Sequence, residues 1–148
     1  MELVHECTYR ADLDTTRLMV GPGPLGVRVV STVIGGWCKG ERLSGTLRGA
    51  AGDWMLVGND GFARLDVRGQ IVTDDGAVVL ITYTGLLEMN QKVTAAAGGE
   101  TQFDDQYFRT LIRMESGSPK YAWVNTTVFV GRGRVVPSAV EYEVYRLT

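Results

Sequence analysis

The chain has 148 residues, 45% of them hydrophobic and 22% charged, with a net charge of -2. That length suits one domain with a sizeable core, and the dispersed Lys and Arg give no basic surface for nucleic acid or an anionic membrane. No apolar run reaches the roughly 18 residues of a membrane span, and MELVHECTYRADLD carries acids too early for a signal peptide, so a cytoplasmic location is expected.

Short runs of alternating apolar and polar residues predict strands near 3–10, 26–38, 42–48, 53–57, 62–73, 77–87, 107–115, 121–130 and 139–147. In the first of these, period two places His5 and Cys7 on one face. The next segment, GPGPLG at 21–26, matches the G-x-G-x-x-G of dinucleotide-binding loops letter by letter. Pro22 and Pro24 have no N–H to offer a phosphate, and the β-branched VRVVSTVIGGW that follows predicts a strand instead of a helix. The segment is therefore read as a loop between strands.

The later breaks, GAAGD, GNDG, DDG, ESGSPK and GRGRVVPS, carry the residues that turns require. Such short turns favour antiparallel neighbours. About eight to ten strands in meander order should curl and close into an all-β antiparallel barrel, which removes exposed edges. The whole of 1–148 is expected to form that one domain. One longer segment, 88–105, breaks the rhythm as a loop in which QKVTAAA suits a short helix.

Candidate chemistry follows from strand parity. Between 107 and 130 the odd positions include Tyr107, Arg109, Leu111, Arg113, Glu115, Tyr121, Trp123 and Asn125, and the even positions include Phe108, Thr110, Ile112, Met114, Ala122 and Val124. If Glu115 pairs with Tyr121 across the turn, each set shares a face. The odd set mixes aromatic walls with a few polar groups, as ligand pockets do. Facing it inward leaves an apolar outer face for another subunit, hence a dimer or tetramer. The opposite assignment makes the even set core and leaves the charges wet.

Asp53, which opens a strand beside Trp54, is the favoured carboxylate for proton transfer, with Glu115 as the other candidate. Arg109 would stabilise an oxyanion. Asp66, Arg68, Tyr83, Tyr107, Trp123 and Asn125 complete the expected substrate-binding set. With one histidine and two isolated cysteines, neither a metal centre nor a cofactor is expected. The kit suits a lyase, isomerase or cyclase acting on a small apolar or aromatic carbonyl or hydroxyl compound. A non-catalytic carrier barrel, or a barrel filled by its own side chains, would share the pattern.

Several markers follow in order along the chain: the glycine loop, Gly35-Gly36, Asp53-Trp54, Asp66 with Arg68, Thr73-Asp74-Asp75-Gly76, Tyr107-Phe108-Arg109-Thr110 and Trp123-Val124-Asn125. That order resembles the domain-of-unknown-function 3237 family, also named uncharacterised protein family 0311. The resemblance implies a compact antiparallel β-barrel that commonly self-associates, and it supplies no reaction. Gly69 departs from the aromatic the family tends to carry there.

Overall fold

Period-two alternation places the apolar half of each strand on one side, and the chain closes around that side. The computed structural model describes residues 1–91 and 101–148. The strands are β1 (Leu3–Leu13), β2 (Leu18–Gly23), β3 (Gly26–Gly40), β4 (Gly45–Leu47), β5 (Gly52–Val57), β6 (Phe62–Thr73), β7 (Val78–Glu88), β8 (Phe108–Glu115), β9 (Phe129–Val136) and β10 (Ala139–Leu147). They form one antiparallel sheet in the order β1-β10-β9-β8-β7-β6-β4-β3-β2, with β5 also between β3 and β6. Pairing of β1 with β3 shuts it into an eight-strand barrel, β4 and β5 sharing one position.

GPGPLG lies in a hairpin. β2 runs on to Gly23, which pairs with Gly26, so Pro24 and Leu25 alone make the turn. Gly21 and Gly26 have φ of +94° and +131°, values that L side chains resist. A strand leaves this turn, and no helix N-terminus is formed for a phosphate.

The strand expected at 121–130 is a correction. Pro119–Thr126 is a 3₁₀ helix, and the next strand starts at Phe129. Pro119 favours the first helical turn. Asn125 fixes the segment to the end of β8: its Oδ1 accepts the Ser116 N–H and its Nδ2 donates to the Ser116 carbonyl, each at 2.9 Å. Glu115 therefore pairs with Leu80 and never meets Tyr121. GRGRVVPS, expected as a break, is largely β9. Its glycines serve core packing, because a Cβ at Gly133 would sit 2.7 Å from the Phe108 ring and one at Gly131 would sit 2.2 Å from Thr110 Oγ1.

The inward face is also the reverse of the one favoured from sequence. In β8 the buried residues are Phe108, Thr110, Ile112 and Met114, whereas Arg109, Leu111, Arg113 and Glu115 lie outside. His5 and Cys7 do not share a face, because a bulge between them shifts the register, leaving His5 exposed and Cys7 buried. The helical turn expected in QKVTAAA falls on 92–100, outside the described residues. At Gly69 a Cβ would make ordinary contact 3.5 Å from Ala51, so the missing aromatic leaves no large void there.

Aromatic rings fill the barrel centre. Tyr83 meets Tyr9 and Tyr142 edge-on at 6.1 and 5.3 Å, and Phe108 meets Tyr142 at 5.3 Å, in the range aromatic pairs prefer. One end is closed by the 3₁₀ segment, whose Tyr121 and Val124 are buried in the core. There the bulge turns Glu6 inward, and its carboxylate takes a two-pronged contact from Arg42 at 2.9 and 2.6 Å and a third from Arg146 at 2.8 Å. Trp123 stacks under that Arg42, 3.8 Å from ring centre to guanidinium.

Candidate functional site

Among the described residues the opposite end of the barrel is open. β5 runs between β3 and β6, so Asp53 lies opposite Ser31 and Val67, both inward-facing, and projects into the interior. The strands diverge there around a cavity of about 770 Å³, within the size range of small-molecule sites. Leu13, Met55, Leu65, Leu87, Met89 and Phe108 form much of its wall, with Val135, Val136 and Val140 on the β9–β10 side. Ser31 and Asp53 bring polar groups into that wall, and Asp14, Thr15 and Arg17 stand at the mouth.

Asp53 is the unusual group. Burial pushes its carboxyl up to about 6, helped by the neighbouring Asp66 charge. The Asp66 backbone N–H, donating to Asp53 Oδ1 at 3.1 Å, and the more distant Arg17 oppose the rise without cancelling it. Such a carboxyl is partly protonated near neutral pH and can give or take a proton. Below the cavity floor, burial holds the phenols of Tyr83 and Tyr142 well above the usual range, and the Asp53 charge adds to the effect. The Tyr142 hydroxyl is fully enclosed near that of Tyr83 and has no well-formed hydrogen bond among the described residues.

Of the residues expected from sequence, Asp53 lines the cavity and Tyr83 lies just behind it. Asp66 and Arg68 share the outer face of β6, as parity implies, but no ion pair joins them and only the Asp66 backbone reaches the site. Glu115 is exposed at the end of β8. Tyr107 is outside the barrel, edge-on to Phe62 at 6.3 Å. Trp123 and Asn125 are at the closed end, in the roles described above.

Arg109 is held on the outer surface by Asp104 at 2.8 Å and donates to the Phe108 carbonyl at 3.0 Å. Its side chain is 40% exposed. Arg109→Ala is accordingly expected to change stability by no more than about 1 kcal/mol. It should leave occupancy of the cavity untouched, as paired urea melts and thermal-shift titrations would report.

Sequence reasoning missed Ser31, Met55, Leu87, Phe108, Tyr142 and Arg17. Phe108 and Tyr142 were legible as inward positions of their strands once the parity was set correctly. Arg17 lies in the link between β1 and β2, where no periodicity marks it.

The model of the protein family of unknown function DUF3237 matches residues 1–147. The chain belongs to this family. A UPF0311 protein of Rhodopseudomonas palustris is 32% identical over 110 residues, 72% of this chain and 71% of that protein. The crystal structure of a conserved protein of unknown function from the same species superposes with a TM-score of 0.91 at 26% identity, covering 99% of this chain and 97% of that one. An enzyme from Penicillium herquei shares the fold at 21% identity, with a TM-score of 0.68 over 100% of this chain and 96% of its own.

The DUF3237 markers divide by position in this chain. Asp53 and Phe108 face the cavity. Gly36 is scaffold, because a Cβ there would lie 1.9 Å from the Arg10 carbonyl oxygen at a φ of +137°. Asp75 is scaffold as well: it binds Lys120 at 2.5 Å and Tyr121 at 2.8 Å, tying the β6–β7 turn to the closed end.

Proposed function

We propose that this DUF3237 member is an enzyme using Asp53 as its acid or base on a small, largely apolar or aromatic molecule that carries a carbonyl or hydroxyl group. The observation that carries the reading is a carboxyl with a pKa raised to about 6 in the wall of an otherwise mainly apolar cavity. Lyase, isomerase and cyclase steps fit, since each can proceed by moving one proton within a water-poor site, and none needs a metal or nucleotide. The Penicillium herquei enzyme supports the reading to the extent that its fold is the same.

The test is a mass-spectrometric product search over a panel of aromatic aldehydes, ketones, phenols and carboxylic acids, run with the native chain and with Asp53→Asn. Products formed only by the native chain support the enzyme. Compounds that bind both proteins and leave both unchanged support a carrier instead.

The same reading includes self-association. Thr84, Leu111, Val130 and Tyr145 lie opposite one another over the outer surface of β7, β8, β9 and β10, and Leu3 of β1 borders the same surface, with Leu111 65% and Leu3 59% exposed. An apolar strip on the outside of a barrel suits burial against a second copy. Sedimentation at micromolar concentration should give a dimer or larger, and Leu111→Lys should shift the distribution toward monomer.

A further inference from the structure

Arg17 stands at the cavity mouth with its side chain exposed, lines the same space as Asp53, and makes no hydrogen bond or ion pair among the described residues. Arg28, Arg48, Arg68 and Arg113 also have no carboxylate partner among the described residues, but Arg17 is the one arginine of the described residues that lines this cavity. The acid nearest to it in the chain, Asp14, is turned into its own loop, where Oδ1 accepts the Thr16 N–H at 2.9 Å. Below Arg17 the wall is mainly apolar down to Phe108, with Ser31 and Asp53 as its polar groups. A cation at the mouth of an apolar sleeve matches a molecule with a hydrophobic body and one anionic end.

We propose that Arg17 is an anion clamp, and that the cavity takes a hydrophobic monoanion, an aryl- or alkyl-carboxylate, with its charged end at Arg17 and its body against Met55, Leu65, Leu87 and Phe108. This rests on the cavity being the substrate site. Binding is then linked to protonation. Asp53 is faced by Arg17 and Asp14 from the mouth and by the phenols of Tyr83 and Tyr142 from β7 and β10, while the Asp66 charge acts on it from the outer face of β6. A ligand anion disfavours the Asp53 carboxylate, and an Arg17 turned onto that anion relieves Asp53 less. The complex therefore takes up a proton at Asp53 as pH falls toward its free value of about 6, which loads the acid as the substrate enters.

The experiment is titration calorimetry of the full chain at pH 7 with 4-phenylbutyrate and its uncharged isostere 4-phenylbutyramide, in two buffers of different ionisation enthalpy. Native protein, Arg17→Gln, Arg17→Lys and Asp53→Asn are compared. The carboxylate should bind at least about tenfold tighter than the amide. Arg17→Gln should remove that preference while leaving amide binding alone, and Arg17→Lys should restore part of it. Proton uptake should accompany carboxylate binding and vanish in Asp53→Asn. Equal affinity for acid and amide, carboxylate binding unchanged in Arg17→Gln, or no binding of either probe overturns the clamp. Amide binding indifferent to Arg17, together with turnover that requires Asp53, would remove the clamp and leave the enzyme standing. Carboxylate binding that needs Arg17, without turnover of any compound, would do the reverse.

Discussion

Asp53→Asn should lower turnover by about 10²–10⁴-fold, the usual worth of a positioned acid or base, while ligand affinity for neutral compounds stays close to that of the native chain. The amide keeps an oxygen for the Asp66 N–H, so the local fold should survive. The same substitution should stabilise the protein at high pH. In the unfolded chain the carboxyl ionises near its ordinary value of 3.8, whereas in the folded chain it holds its proton to about 6. As pH rises between those values the native state releases its proton later and loses stability relative to the unfolded chain. Above both values the penalty is complete, and for a half-buried carboxyl, after allowance for solvent screening, it is on the order of 1 kcal/mol. Urea melts should show Asp53→Asn more stable than native at pH 8 and little different near pH 4. A variant less stable at pH 8 would mean that the carboxylate is held by a partner that the structure does not contain.

Glu6→Gln should have the largest effect on stability. The Glu6 side chain is only 2% exposed and is the shared counter-ion of Arg42 and Arg146. Neutralising it leaves two guanidiniums, 43% and 30% exposed, without that charged partner, a loss of about 1–3 kcal/mol. Burial by itself would raise the Glu6 pKa, but the hydrogen bonds and charges of the two arginines outweigh it and hold the group below its ordinary 4.5. Its stabilisation is thus fully present above pH 4.5 and is lost as pH falls through the depressed folded value. Native protein should lose urea resistance steeply below that pH, whereas Glu6→Gln should be weaker throughout and flatter in the acid range. Because the cluster is at the closed end, residual folded Glu6→Gln should keep its affinity for cavity ligands. Parallel acid limbs in the two proteins would contradict this account.

The barrel was legible wherever one face of a strand is core and the other is wet. In β6, β7 and β10 the expected limits come within a residue of the observed ones, because period two records burial directly. The signal failed where glycine serves packing. Gly131 and Gly133 make room for Thr110 and Phe108, yet in sequence they look like a turn, which hides most of β9. The inverted face at β8 has a related cause. Trp123 and Asn125 favoured an inward odd set, but they lie on a 3₁₀ segment and share no strand face with Arg109. Asp53 was readable as a rim carboxylate beside an aromatic residue. The side chains that make it unusual were not, since Ser31, Met55, Leu87 and Phe108 come from four different strands and meet only when the barrel closes.

The most direct measurement is the pH titration of the Asp53 carboxyl itself, followed by carbon-13 NMR of aspartate-labelled protein with Asp53→Asn supplying the assignment. A midpoint near 6 is the predicted result. A midpoint at the ordinary aspartate value of 3.8 would leave the cavity without its acid and would contradict the proposed chemistry.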